Sequence, residues 1–134
     1  MKNVIIFLCP FLIHTQNIDL IKLFERSTNN ISSCDSLINY CLNEDHPRKT
    51  AYLSAGLMLK SKHSRKLKFF KKGKNKLNDI INKNPNFVEF RWIRYCIQSN
   101  TPKILNYKQH LEIDKAMIEQ NGTRQQKNIL KAYD

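Results

Sequence analysis

Arg91, Arg94 and Gln98 recur at i, i+3 and i+7, so a helix through them carries one polar stripe opposite Phe90, Ile93 and Ile97. Arginine's planar fork suits a carboxylate or a phosphate, and on the concave side of a small helical stack such a stripe could hold an acidic peptide or ligand. The same side chains could instead close an internal network, with Arg91 or Arg94 paired to Glu89, Glu112 or Asp114 and the Gln98 amide satisfying a turn near Pro102. The internal arrangement is favoured, because buried polar residues in helical stacks usually bridge neighbouring helices.

A second candidate is electrostatic. Nine basic residues stand between Lys60 and Lys76, and no acid occurs from His46 to Asn78. Lys66, Lys68, Lys71, Lys72 and Lys74, with Phe69 and Phe70 among them, are the candidate contacts with an anionic surface. They could neutralise the phosphates of nucleic acid or lie against an anionic leaflet or partner. A solvated helix face with the aromatics turned inward is the plainer reading of such a charge run and the favoured one.

Catalytic chemistry has no comparable support. Glu44 and Asp45 precede His46, but neighbours in a loop do not make a poised acid and base. His14, His46, His63 and His110 show no metal spacing, and no Cys-x-x-Cys pair exists. Cys34 and Cys41 are seven residues apart, about 10 Å along a helix axis, too far for a disulfide within one helix. These cysteines and Cys96 read as small buried hydrophobes. The expectation is no catalytic residue, no metal and no cofactor.

The elements that must carry these residues are helical. Apolar residues at helical spacing place a first helix from Ile18 through Phe24, a second with Cys34, Leu37, Ile38, Cys41 and Leu42 capped by Ser32, Ser33 or Asp35, and a third opened by Pro47. In the third, Ala51, Tyr52, Ala55, Leu59 and the small Ser54 and Gly56 make a face suited to close helix contact. A fourth of about twenty residues ends before Pro85 and tolerates Gly73 at a close crossing. The fifth, with Phe87, Val88, Phe90, Trp92, Ile93, Cys96 and Ile97, is the most apolar and should be central. Lys103 to Tyr107 form an irregular connection, Leu111, Ile113, Met117 and Ile118 mark a sixth helix, and Thr123 caps a seventh with Ile129, Leu130 and Tyr133.

Composition agrees with one all-α domain of antiparallel helical hairpins, either tetratricopeptide-like or an irregular bundle. The chain has 134 residues with 41% hydrophobic residues, enough to fill one core. Three glycines are too few for the turns of a β-sandwich or for glycine-rich nucleotide loops. The segment Gly73, Leu77, Ile80, Pro85 has the order of the second half of a tetratricopeptide repeat, although no second copy follows at 34-residue spacing.

The start reads as a secretory leader. Met1, Lys2 and Asn3 precede an uncharged run from Val4 to Ile13 and the polar His14, Thr15 and Gln16. Ten apolar residues are too few to span a bilayer, which takes roughly 20. Cleavage is expected near Gln16, leaving residues 17–134 as the helical domain. The cut would remove Lys2 alone among the charges, so the net charge of +12 becomes +11.

One run says more than composition. Glu89, Arg91, Trp92, Ile93, Arg94, Ile97, Gln98, Asn100, Pro102, Leu105, Tyr107, Asp114 and Lys115, with Ala51-Tyr52 and the Lys66 to Lys74 stretch, follow an EIRFLR..IQ.N.P..L.Y pattern. In this the chain resembles a group of small bacterial exported proteins with a tetratricopeptide-like helical fold. The similarity covers roughly Ala51 to Ile118 and extends to the leader-like start. Trp92 stands at a Phe-like position and Phe90 at an Ile-like one, and the connection between the third and fourth helices is shorter here. The resemblance implies fold and export, and no catalytic residue or ligand. The functional expectation is therefore a monomeric, periplasmic or otherwise exported protein-interaction module meeting a protein or an anionic envelope component. A basic cytosolic protein that binds nucleic acid is the alternative.

Overall fold

Asp19 and Asn30 set the first two helices, because each offers a side-chain oxygen to backbone N–H groups that have no partner inside the helix. The computed structural model describes residues 18–133, so the leader expected at residues 1–16 lies outside the described residues. Asp19 Oδ1 accepts from the Ile21 and Lys22 amides at 3.1 and 3.2 Å and opens α1 (Leu20–Ser27). Asn30 Oδ1 accepts from the Ser33 amide at 2.9 Å and opens α2 (Ile31–Cys41). The cap is thus Asn30, not Ser32, Ser33 or Asp35. The earlier start leaves room for Cys34, Leu37, Ile38 and Cys41 to share the buried side of a helix that already has its full first turn.

Pro47 occupies the first turn of α3 (Pro47–Ser64), where its missing N–H costs nothing, and Arg65 ends that helix in the left-handed region at φ 56°. Next come α4 (Leu67–Lys83) and α5 (Val88–Asn100), a short 3₁₀ turn at Lys103–Leu105, α6 (Leu111–Asn121) and α7 (Arg124–Lys131). Thr123 and Gln126 form a capping box at the start of α7. The fourth helix is shorter than the expected twenty residues. Ile18, Phe87 and Tyr133 lie just outside the helices to which their periodicity assigned them.

Sequential helices pack as neighbours: α1 on α2, α3 on α4, and α5 on α6, with no strand among the described residues. The protein is all-α, as its periodicity dictates. Centrality is shared, however. From Ala51 to Leu59 every residue of α3 is buried, and that helix touches α1, α2, α4 and α5. α5 touches α3, α4, α6 and α7. Gly73 lets α4 lie directly on α3, since a Cβ there would stand 2.5 Å from the Ser54 carbonyl oxygen and 2.8 Å from Met58 Cγ. Gly56 performs the same service for α2, where Cys34 Sγ bonds the Gly56 carbonyl oxygen at 3.2 Å.

Candidate functional site

Asp114 is the point on which the expected polar stripe converges. It lies on α6, wholly buried, and faces α5. Arg94 grips it with two parallel bonds, Nε to Oδ2 at 2.6 Å and Nη2 to Oδ1 at 2.7 Å. Arg91 Nη1 adds a bond to Oδ1 at 3.2 Å, and Gln98 Nε2 adds one to Oδ2 at 3.2 Å. The other end of the Gln98 amide accepts from the His110 backbone N–H at 3.1 Å, which ties down the turn leading into α6 rather than the one at Pro102. On α4, Asn78 Oδ1 accepts from Arg94 Nη1 at 3.3 Å and from the Tyr107 hydroxyl at 3.2 Å.

Arg94 and Gln98 are therefore turned into the protein, at 3% and 0% exposure, and not toward a concave surface. Only Arg91 is half-buried, and its Nε is bonded to the Pro85 carbonyl oxygen at 2.8 Å. Of the two readings of Arg91, Arg94 and Gln98, the contacts support the favoured internal network, a clamp between α5 and α6, and not the binding surface. The physical reason is that Asp114 offers a buried carboxylate that accepts from all three residues of the stripe. Burial, followed by the positive charge of Arg94, lowers the His110 pKa, which favours the neutral ring.

Glu89 makes a separate contact. It accepts from Arg48 Nε at 2.9 Å and from the Tyr52 hydroxyl at 2.6 Å, joining α5 to α3. The Arg48 guanidinium also lies over the Tyr52 ring, 5.5 Å from its centroid. Burial, reinforced by Glu89, holds the Tyr52 hydroxyl well above the usual phenol range. This pairing of Glu89 with Arg48 is separated by 41 residues in sequence, and no local spacing announces it.

The basic run divides into two parts. Lys60 pairs with Asp35 at 3.1 Å, Lys62 Nζ donates to the Thr28 carbonyl oxygen at 2.9 Å, and Lys74 lies over the Tyr107 ring at 5.2 Å. These three turn back onto the protein. Lys66, Lys68, Lys71 and Lys72 are exposed, and none of the four has an ion-pair partner among the described residues, although Lys68 lies over the half-buried Phe69 ring at 5.3 Å. Phe70 is buried and Phe69 half-buried, so the aromatics face inward. Lys74 thus separates from the four lysines with which it was grouped.

Cys34, Cys41 and Cys96 are buried free thiols. No group of three or more His, Cys, Asp or Glu among the described residues is placed to hold a metal ion, and no helix among them is long and apolar enough to cross a membrane. A feature that sequence reasoning missed is a cavity of about 230 Å³ bordered by α1, α3, α4, α5, the 3₁₀ turn and α7, with Trp92 in its wall. Its residues come from six separate elements, and nothing in their spacing marks them as neighbours. Comparison of the chain with protein-family models, with curated proteins and with solved structures returns no match.

Proposed function

We propose that the protein is a non-catalytic, exported binding module of the cell envelope that holds an acidic segment of a partner protein against the outer face of α4. The observation that carries this reading is the exposure of Lys66, Lys68, Lys71 and Lys72 with no carboxylate paired to any of them among the described residues. Lys49, Lys60 and Lys83, by contrast, each have an acidic neighbour within ion-pair distance. Three uncompensated ammonium groups on α4, with a fourth on its N-cap residue Lys66, attract polyanions and release counterions when one binds. Of the apolar residues of α4, Phe70, Leu77 and Ile81 are buried in the core, Phe69 and Ile80 are half-buried and Leu67 is exposed, so this face offers a single exposed apolar side chain to the acyl region of a membrane. That favours a polyanionic protein surface over a lipid leaflet. The helix pairs, the Gly73 to Pro85 order and the resemblance of the Ala51 to Ile118 region support a tetratricopeptide-like module, a class that works by docking other proteins.

The test is a titration of isotope-labelled protein with a polyglutamate peptide, duplex DNA and anionic vesicles in parallel. Expected are signal shifts confined to α4 with polyglutamate, weakened by salt. Affinity should fall about tenfold in the variant carrying Lys→Gln at positions 66, 68, 71 and 72, at a few tenths of a kcal/mol for each exposed pair. Undiminished affinity in that variant excludes the face, and tighter binding to duplex DNA than to polyglutamate replaces this reading with nucleic-acid binding. Cell fractionation with intact-mass measurement tests export: full-length protein from Met1 found in the cytosol overturns it.

A further inference from the structure

The clamp on Asp114 joins α5 to a C-terminal hairpin, α6 and α7, that is otherwise lightly held. Among the described residues, the backbones of these two helices approach only α5 and each other. The hairpin buries two apolar side chains, Ile118 and Leu130, whereas α3 buries every residue from Ala51 to Leu59. Regions with few buried apolar contacts open at a lower free energy than the core, commonly as whole supersecondary units. The hairpin of α6 and α7 has the form of such a unit. Its attachment has a fixed point and a free one. Tyr107 is wholly buried and pinned to α4, its ring edge-on to Phe70 with 5.7 Å between centroids and its hydroxyl on Asn78 at 3.2 Å. Lys108 and Gln109 follow it, both exposed, just before α6 begins at Leu111. Rotation of the backbone at these two residues carries α6 and α7 away together and leaves Tyr107 in place.

The chemistry of the seam fits a joint that parts. Arg94 meets Asp114 through two bonds, at 2.6 and 2.7 Å, and Arg91 and Gln98 add one each at 3.2 Å. A buried ion pair adds little net stability compared with apolar packing of the same volume, because both charges have left water to form it. Parting the seam returns them to water, which offsets much of the lost attraction. An apolar seam would instead expose hydrophobic surface. Lifting α6 also leaves the donors of Arg91, Arg94 and Gln98 along one side of α5, spaced i, i+3 and i+7. Asp114 shows what they recognise: a side-chain carboxylate, gripped by an arginine fork and completed by an amide.

We propose that α6 and α7 form a latch over a carboxylate-binding site on α5: the hairpin swings away about Lys108 and Gln109, and Arg91, Arg94 and Gln98 then take Asp or Glu carboxylates of an acidic partner segment in place of Asp114. Asp114 is the internal stand-in that keeps the site closed. This site does not depend on the outer lysine face, since Lys66, Lys68, Lys71 and Lys72 make no contact with the Asp114 clamp.

The test uses the full chain carrying Lys→Gln at positions 66, 68, 71 and 72, so that the outer face adds no attraction and its failure is read separately. Amide hydrogen exchange in low urea is followed by magnetic resonance. The amides of α6 and α7 should share one opening event, at least about tenfold more frequent than the event that exposes α3. Exchange of α6 and α7 only together with α3 overturns the latch. A polyglutamate peptide should raise the opening frequency of α6 and α7 in proportion to its concentration and leave that of α3 unchanged, because it binds the open form alone. Asp114→Asn keeps the shape of the stand-in and removes its charge. Polyglutamate should bind this variant at least about tenfold more tightly and shift the Arg91 and Arg94 Nε–H signals. Adding Arg91→Gln should remove most of that gain. Equal affinity with Asp or Asn at position 114 overturns the site. If the Asn variant does not fold, the exchange response of the Asp114 protein decides alone, and opening of α6 and α7 that polyglutamate does not change overturns the site.

Discussion

Asp114 illustrates how much one buried carboxylate can organise. It gathers Arg91, Arg94 and Gln98 from α5, and through Arg94 it reaches Asn78 on α4. Removing one partner of a buried ion pair leaves the other charge uncompensated, so Asp114→Ala is expected to cost about 3–5 kcal/mol of unfolding free energy in urea denaturation. Replacing both Arg94 and Asp114 by Leu should recover part of that loss, because two apolar groups leave no orphan charge. Titration supplies a second prediction at this scale. Burial pushes the Cys34 and Cys41 thiols from 9.0 up to about 11, and the Cys96 thiol up to about 12. The unfolded chain loses these protons first as pH rises, so their contribution, complete below pH 9.0, declines from there to about 11 for Cys34 and Cys41 and to about 12 for Cys96. His110 acts at the other end: its lowered pKa means that the unfolded state takes up protons first as pH falls below 6.5. Urea midpoints should therefore be higher at pH 7.5 than at 5.5 or 10; a midpoint that rises at pH 10 would contradict the buried thiols. Much of this residue-level chemistry is legible in the chain, where the i, i+3, i+7 stripe and Asp114 as one of three candidate partners are both readable. Asn78, Tyr107 and the His110 amide are not, because they join the clamp through folding rather than through spacing.

Helix positions follow from periodicity, and helix ends depend on which of several adequate caps wins. Asn30, Ser32, Ser33 and Asp35 can all cap, and Asn30 prevails because its extended backbone and the Ser33 amide at 2.9 Å complete the first turn of α2. Periodicity also overstates burial at an edge, since Ile113 on α6 is 56% exposed. The glycines are the sharpest element-scale test. Alanine is the better helix former by about 1 kcal/mol, yet Gly73→Ala would push a methyl group against the Ser54 carbonyl oxygen 2.5 Å away. Backbone cannot yield as a side-chain tip can, and overpacking of this kind costs about 1–3 kcal/mol. Gly73→Ala should accordingly lower stability, whereas Gly56→Ala, which meets the Ile38 side chain at 2.8 Å, should cost less. Chemical denaturation of the two variants checks the order; equal stability of Gly73→Ala and the parent protein would remove the close crossing as the reason for glycine there.

Across the whole molecule, a net charge of +12 opposes compaction unless it is spread or paired. The exposed lysines of α4 contribute to that repulsion without pairing, so moderate salt should raise the melting temperature, and Lys71→Gln with Lys72→Gln should leave stability unchanged or slightly increased. Scanning calorimetry from about 10 to 150 mM salt reads both effects. A drop in melting temperature on removing the two charges would show that they support the fold instead of a partner. The sequence by itself determined an all-α fold, the number and order of the α-helices among the described residues, the inward-facing Gly56 and Gly73 and the local excess of positive charge, because helical periodicity, capping chemistry and composition act over a few residues. Only the tertiary structure decided that Arg94 and Gln98 are locked onto Asp114, that Glu89 belongs to Arg48 and Tyr52, that Lys74 turns inward, and that Trp92 lines a cavity. Each of these depends on which side chains from distant helices arrive within a few ångströms of one another. Burial then makes pairing, or its absence, energetically decisive.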